Sequence, residues 1–254
     1  MTALRKFKYR LKTCSTLALS PRDHHGFYQS AGDFAIEDMV ADSDLDKSRV
    51  NIIYPFYQYG TYSRYEPQRT TYYIPGSSIK GALAVQRSET GLPRLQVDDI
   101  RIESEDLRLY HLYKVQNQES AKIDVFFPNV AVEMLNADSL YSGELFCDRE
   151  PDRYFREAQQ TTRSKLHQLI QKIDNIYDQI IDEKSRSILS ALRQNTHDLL
   201  DGLGGVNNSA FTLLLGGYKG LVLSVELNNT DYHSAIYLDM KKKLPHGLVQ
   251  VMLE

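Results

Sequence analysis

The sequence predicts an α+β fold in which a split βαβ sheet carries its helices on one side. Three observations lead there: a strictly alternating stretch at residues 5–13, a long helical stripe between Asp152 and Leu200, and strand-like runs on both sides of that stripe. In the first, Phe7, Tyr9 and Leu11 fall on one side of a strand and Lys6, Lys8, Arg10 and Lys12 on the other. The apolar side goes to a core. The cationic side is either a solvated edge or outer face, where lysines discourage aggregation, or a sheet surface turned to RNA.

Residues 22–70 keep no sustained period and carry an acidic run, Glu37, Asp38, Asp42, Asp44 and Asp46. Unstructured connections longer than about 12–15 residues are usually functional or mobile, so this segment is expected to be an inserted arm that contacts a ligand or partner. It runs into YPFYQYGTYSRYEPQRTTYY, residues 54–73, which holds seven tyrosines. Aromatic faces stack on bases and also serve protein interfaces. A YYIP strand comes next, with helical spacing from Ser78 to Arg87 stopped by Gly91-Leu92-Pro93.

Strand-like pieces follow at LQVDDIRIE, LRLYHLYKV, KIDVFFPNVAVEML and LYSGELFC. From Asp152 the period becomes helical, with Leu166, Leu169, Ile170, Ile173, Ile176, Tyr177, Ile180 and Ile181 on one stripe. A single straight helix from 152 to 200 would run roughly 70 Å, so a break near Asp182 to Ser185 and two packed helices over 152–202 are expected. AFTLLL, GLVLSVEL and GLVQVML return to strand character. Neither an internal repeat nor a low-complexity segment interrupts this order, and the whole chain, 1–254, reads as one domain.

Composition narrows the functional classes. With 254 residues, 42% of them hydrophobic, the chain can build a real core. Cys14 and Cys147 are the only cysteines and show no ligand spacing, so neither a disulfide framework nor a zinc site is expected. The basic N-terminal stretch mixes charges into its apolar residues, unlike a signal peptide or membrane span; a cytoplasmic protein without membrane contact, metal or cofactor is expected. A net charge of −3 argues against a protein basic over a whole face. Any nucleic-acid site must be local.

The stretch YYIPGSSIKGAL, residues 72–83, combines a Pro-Gly turn, two hydroxyls and a lysine at the start of a helix. Ser77 or Ser78 at the N-cap could accept from the orphan amides of the first turn. The same donors and the positive helix end attract phosphate, and Lys80 adds a full charge. The spacing is not that of a Walker motif, so nucleotide hydrolysis gets no support. The loop Gly216, Gly217, Tyr218, Lys219 and Gly220 offers close-approaching amides, an aromatic ring and a cation; a hairpin turn with a convenient lysine explains it equally well.

IPGSSIKGAL closely resembles the IPGSSLKGALR-type signature of the RAMP superfamily, the RNA-binding subunits of type III CRISPR effector complexes. Further segments resemble that family in the same order: LALSPRDHHG, LPRLQVDDIRI with LRLYHLYKV, NVAVEMLNADSLYSGEL, LLLGGYKGLVLS and LPHGLVQVML. The combination looks most like the type III-A (Csm) subunit that caps the 3′ end of the guide RNA. Three departures stand out: Gly217-Tyr218 replaces an expected Gly-Trp-Gly, Ala84 replaces the arginine after the signature, and the chain is short for that role; a divergent backbone or insertion-bearing RAMP subunit is the alternative they leave open.

The resemblance implies an RRM-like (ferredoxin-like) βαββαβ core with a long N-terminal insertion and an inserted helical pair. It implies that Ser77, Ser78, Lys80, Gly216, Gly217, Tyr218, Lys219 and Gly220 contact crRNA. The implied partners are crRNA, a repeating RAMP backbone subunit and a small helical subunit. The expected role is noncatalytic. Two nuclease alternatives are a His24 or His25 general base acting on a ribose hydroxyl and metal-assisted cleavage at Asp33. An RNA-independent interaction subunit is the third alternative.

Overall fold

The computed structural model describes residues 3–21, 26–83, 95–115, 121–203, 210–224 and 235–254. Its centre is β1 (Arg5–Thr13), whose alternating residues bury Tyr9 and Leu11 completely or nearly so. One edge of β1 pairs antiparallel with β10 (Leu140–Cys147), Tyr9 opposite Gly143, and the other with β13 (Leu248–Leu253), Tyr9 opposite Leu253. β4 (Leu95–Val97) extends the sheet beyond β10 and β11 (Ala210–Leu214) beyond β13. The result is a five-stranded antiparallel sheet in the order β11-β13-β1-β10-β4. The chain is thus a mixed α+β fold, as its sequence leads one to expect.

The row of cations on β1 is therefore on a face of a central strand, not on a sheet edge. Lys6 pairs with Glu144 at 2.6 Å, Arg10 with Glu254 at 2.8 Å and Lys12 with Asp138 at 3.8 Å. Carboxylates already neutralise most of that row.

The expected long strands break at corners. LQVDDIRIE becomes β4 in the large sheet and β5 (Ile100–Ile102) paired with β3 (Tyr72–Ile74). LRLYHLYKV becomes β6 (Leu107–Tyr110) and β7 (Leu112–Val115), divided at His111. β6 joins β9 (Val130–Leu135) and β2 (Asn51–Tyr54), whereas β7 lies between β8 (Ile123–Phe126) and β12 (Ile236–Leu238). Each run thereby serves two sheets.

Helices α2 (Asp152–Tyr177) and α3 (Glu183–Gly202) form the expected pair. The break is capped chemically: the Asp182 carboxylate accepts the Ser185 amide at 2.7 Å. The inner stripe of both helices, including Leu166, Ile173, Leu189 and Leu192, packs against Val115, Leu238 and Leu248. Ile181, expected on that stripe, proves to be exposed, beyond the end of α2. The start of α2 instead enters the core beneath the main sheet, where Phe155 meets Tyr9 and Phe211. No helix among the described residues is long and apolar enough to cross a membrane.

Two further expectations are corrected. Helix α1 spans Gly76–Ala82 with Pro75 as its N-cap and no side-chain cap, so Ser77 and Ser78 lie inside the first turn rather than capping it. GLVLSVEL does not open as a strand, because Leu221–Ser224 forms a short helix, α4. The sequence leaves the order of the arm open. The arm's described part folds around Phe27, Phe34, Met39, Val50, Ile52 and Tyr65, which pack on Leu109 and Ala131 of β6 and β9.

The arm is fastened to the body by Glu133 on β9, which is 1% exposed. Its carboxyl accepts the Phe56 amide at 2.8 Å, the Tyr65 hydroxyl at 2.9 Å and the Tyr72 hydroxyl at 3.1 Å. Burial raises the Glu133 pKa, while the three donors oppose that rise. A carboxyl whose folded pKa is raised holds its proton longer in the folded state, so its contribution to stability is greatest below the ordinary glutamate value and declines as pH climbs through the folded value. Glu133→Ala should cost roughly 3–5 kcal/mol in urea unfolding, because three buried donors lose their acceptor. Glu133→Gln should cost less and flatten the decline of stability between acid and neutral pH; an unchanged pH profile would remove Glu133 from that role.

Candidate functional site

Gly76 lets α1 start hard against the main sheet. A Cβ there would lie 2.0 Å from the Val97 carbonyl oxygen. Its amide donates to Asp99 Oδ1 at 2.8 Å, and the Ser78 amide donates to the Pro75 carbonyl at 2.9 Å. The chain's own carboxylate thus takes the place at the helix start where a phosphate was expected. Ile79 and Leu83 turn into the core, which leaves Ser78, Gly81 and Ala82 on the side that lines a groove. Ser77 and Lys80 are exposed and do not line it.

The glycine-rich loop forms the facing wall. After β11 the Leu215 amide donates to the Gly247 carbonyl at 2.7 Å, and the Gly217 amide to the Ala18 carbonyl at 2.8 Å. Gly216 has φ 78°, and a Cβ on it would come within 2.3 Å of the Ala18 oxygen. Its freedom is used for docking the loop on the segment that follows β1. Tyr218, itself at φ 53°, packs edge-on against Tyr54 at 5.2 Å and Tyr237 at 6.5 Å. Burial first, then Tyr54, raises its hydroxyl pKa, so it stays a neutral donor. Gly220 accepts the Ser224 hydroxyl at 2.7 Å and does not line the groove.

Between these walls lies a groove of about 720 Å³, floored by the 18–21 segment and α2. Five of the eight sequence-predicted residues meet there: Ser78, Gly216, Gly217, Tyr218 and Lys219. Sequence reasoning missed the contribution of α2, namely Thr161, Thr162 and Lys165. Their only signal was a break in the polar face of a helix, which charge spacing alone does not distinguish from a solvated surface. Two lysines line the groove, and among the described residues that line it there is no Asp or Glu.

Burial, followed by the nearby charge of Lys165, pushes the Lys219 pKa down to about 8. Lys165 itself approaches the Ser224 carbonyl at 3.5 Å. Lys219 has no carboxylate partner among the described residues. Two like charges brought together in a partly dry recess are stabilised by an anion between them. Hydroxyls and small residues around them leave room for it.

No protein-family profile and no curated protein sequence matches the chain. The remaining candidates are placed by the structure as follows. His24, His25 and Ala84 lie outside the described residues. Asp33 accepts the Tyr28 amide at 2.8 Å within its own turn and does not line the groove. Among the described residues no group of three or more His, Cys, Asp or Glu could hold a metal ion.

The tyrosine tract divides among several uses. Tyr65 and Tyr72 bind Glu133, Tyr59 stacks on Tyr73 at 4.0 Å, and Tyr54 and Tyr57 line the groove. The even choice between RNA and partner surface thus omitted the tract's internal work.

Two measurements follow from this geometry. Anion affinity should fall as pH rises from 7 to 9, because Lys219 loses its proton near 8, and Lys219→Arg should abolish the decline; a titration with inorganic phosphate or oligonucleotide reads both. Gly216→Ala should cost about 1–3 kcal/mol of stability through strain at positive φ and the clash with Ala18. Chemical denaturation measures that cost.

Proposed function

We propose that the chain is a noncatalytic crRNA-binding subunit of a type III CRISPR effector complex, a RAMP protein at the 3′ end of the guide RNA. The observation that carries this reading is the meeting of the signature helix and the glycine-rich loop across one groove whose described lining includes Lys219 and Lys165. An RNA backbone is a polyanion, and Tyr54, Tyr57 and Tyr218 add aromatic edges and hydroxyls to the same walls. A repeating backbone subunit, a small helical subunit and the guide RNA are its partners in this proposal.

The strand order supports an RRM-like core. Within β13-β1-β10-β4 every neighbouring pair is antiparallel, α1 lies between β1 and β4 in sequence, and α2 follows β10. That is the connectivity a split βαβ pair requires, with β11 added at the outside. The assignment of Ser77, Lys80 and Gly220 to RNA contact rests on the resemblance alone.

Affinity purification of the tagged chain from its host, with the bound RNA sequenced, should recover guide RNAs that share a repeat-derived tag, together with large partner subunits. In vitro, Lys165→Glu and Lys219→Met should each weaken RNA binding about tenfold at low salt and reduce the salt slope by about one. Recovery of repeat fragments without partners would favour a processing nuclease. RNA binding unchanged in both variants would place the RNA site elsewhere on the chain, and recovery of no RNA would favour an RNA-independent interaction subunit.

A further inference from the structure

A second cavity, of about 440 Å³, lies between the arm, the first turns of α3 and the turn after β12, and shares no lining residue with the groove. His246 lines it and is 3% exposed. Thr16 Oγ1 lies 2.7 Å from His246 Nδ1, which occupies that nitrogen. Nε2 is buried and has no hydrogen-bond partner among the described residues. His111, at the corner between β6 and β7, lines the same cavity and likewise has a buried, unpartnered nitrogen, Nδ1. Leaving such groups unpaired costs stability, so two in one cavity call for a ligand or water.

The walls carry three carboxylates, Asp42, Asp44 and Asp239, and three lysines, Lys184, Lys241 and Lys243. Asp239 accepts the amides of Thr16 at 2.9 Å, Lys241 at 2.8 Å and Lys242 at 2.9 Å. Lys241 pairs with Asp42, and Lys243 donates to the Met240 carbonyl. The rim charges, Asp44 and Lys184, are exposed and opposite in sign. Burial lowers the pKa of both histidines, that of His246 to about 4, despite the nearby Asp239, Asp44 and Asp46. At neutral pH the cavity therefore offers two neutral imidazoles among wall charges whose formal sum is zero.

Leu45, Ile188, Leu238 and Met240 supply apolar walls, with the Tyr113 ring beside them. A small ligand fitting this set is flat enough to lie on apolar surface and carries hydrogen-bonding atoms of both kinds along its edge. Such an edge satisfies an imidazole nitrogen in either tautomer. The volume lies within the range of small-molecule pockets.

We propose that this cavity binds an uncharged, purine-sized heterocycle, hydrogen-bonded to His246 Nε2 and His111 Nδ1. The site is independent of the RNA groove. Adenosine is the probe, AMP its charged counterpart, and the full chain the sample, followed by calorimetry and by the imidazole ¹⁵N signals of His246 and His111.

Saturable adenosine binding with a shift of the His246 Nε2 signal is expected, with AMP at least tenfold weaker. Ser187→Trp, an exposed position on α3 that plugs the mouth, should reduce adenosine affinity at least tenfold. His111→Phe should do the same without touching the buried His246–Thr16 pair. Histidine signals unmoved by 10 mM adenosine, which is the signature of a cavity holding water only, would overturn the proposal. So would adenosine affinity unaltered by Ser187→Trp, or binding lost in Lys219→Met instead.

Discussion

The buried carboxyl of Glu133 is the constraint from which the rest of the architecture is arranged. An acid removed from water loses several kcal/mol of hydration and is tolerated only where donors replace it. All three replacements come from one piece of chain, residues 56–72, which contributes the Phe56 amide and the Tyr65 and Tyr72 hydroxyls. β9 itself lies between β2 and β6, so the carboxyl stands where the arm and the sheets converge. Holding Tyr72 fixes β3, and β3 leads directly into Pro75 and Gly76, where α1 begins. The same stretch sets Tyr54 and Tyr57 in the wall of the groove. Directional hydrogen bonds to a single acid thus align two features that apolar packing alone would leave free to slide.

The groove shows how an acidic protein can present a cationic recess. Cations on β1 are matched by Glu144, Glu254 and Asp138, so the strand that looks most basic contributes little unbalanced field. Lys219 and Lys165 are fewer, but among the described residues that line the groove there is no Asp or Glu, and low-dielectric walls strengthen electrostatic interactions there. Counting charges along the chain therefore does not locate this recess. The fold decides which charges meet.

Much of the fold was legible because periodicity is a local property. The alternation at 5–13, the helical stripe and its interruption at Asp182 all depend on side chains within a few residues of one another. The corners at Asp98-Asp99 and at His111 were not legible, since a strand that changes sheets keeps its alternation and differs only in its distant neighbours. The sequence leaves the order of the arm open for a related reason: its apolar residues are spaced for turns and meet only when β6 and β9 supply the floor. At the site, the glycine-rich loop and Ser78 were visible as motifs. Lys165 was not, because its significance comes from standing beside Lys219, 54 positions away in the sequence, and Asp99 was not, because nothing local says that it reaches back to Gly76.

The placement of β1 has a consequence for how the chain is made. One edge of this strand is closed by β10 and the other by β13, so Tyr9 waits for Leu253 before its second neighbour exists. At ribosomal speeds of roughly 5–20 residues per second, the interval is on the order of 10–50 s. During that time a strand with one greasy face and one charged face has an open edge, and its row of lysines and arginines is what discourages another nascent chain from filling it. Three of those cations, Lys6, Arg10 and Lys12, gain their partners only when Glu144, Glu254 and Asp138 arrive.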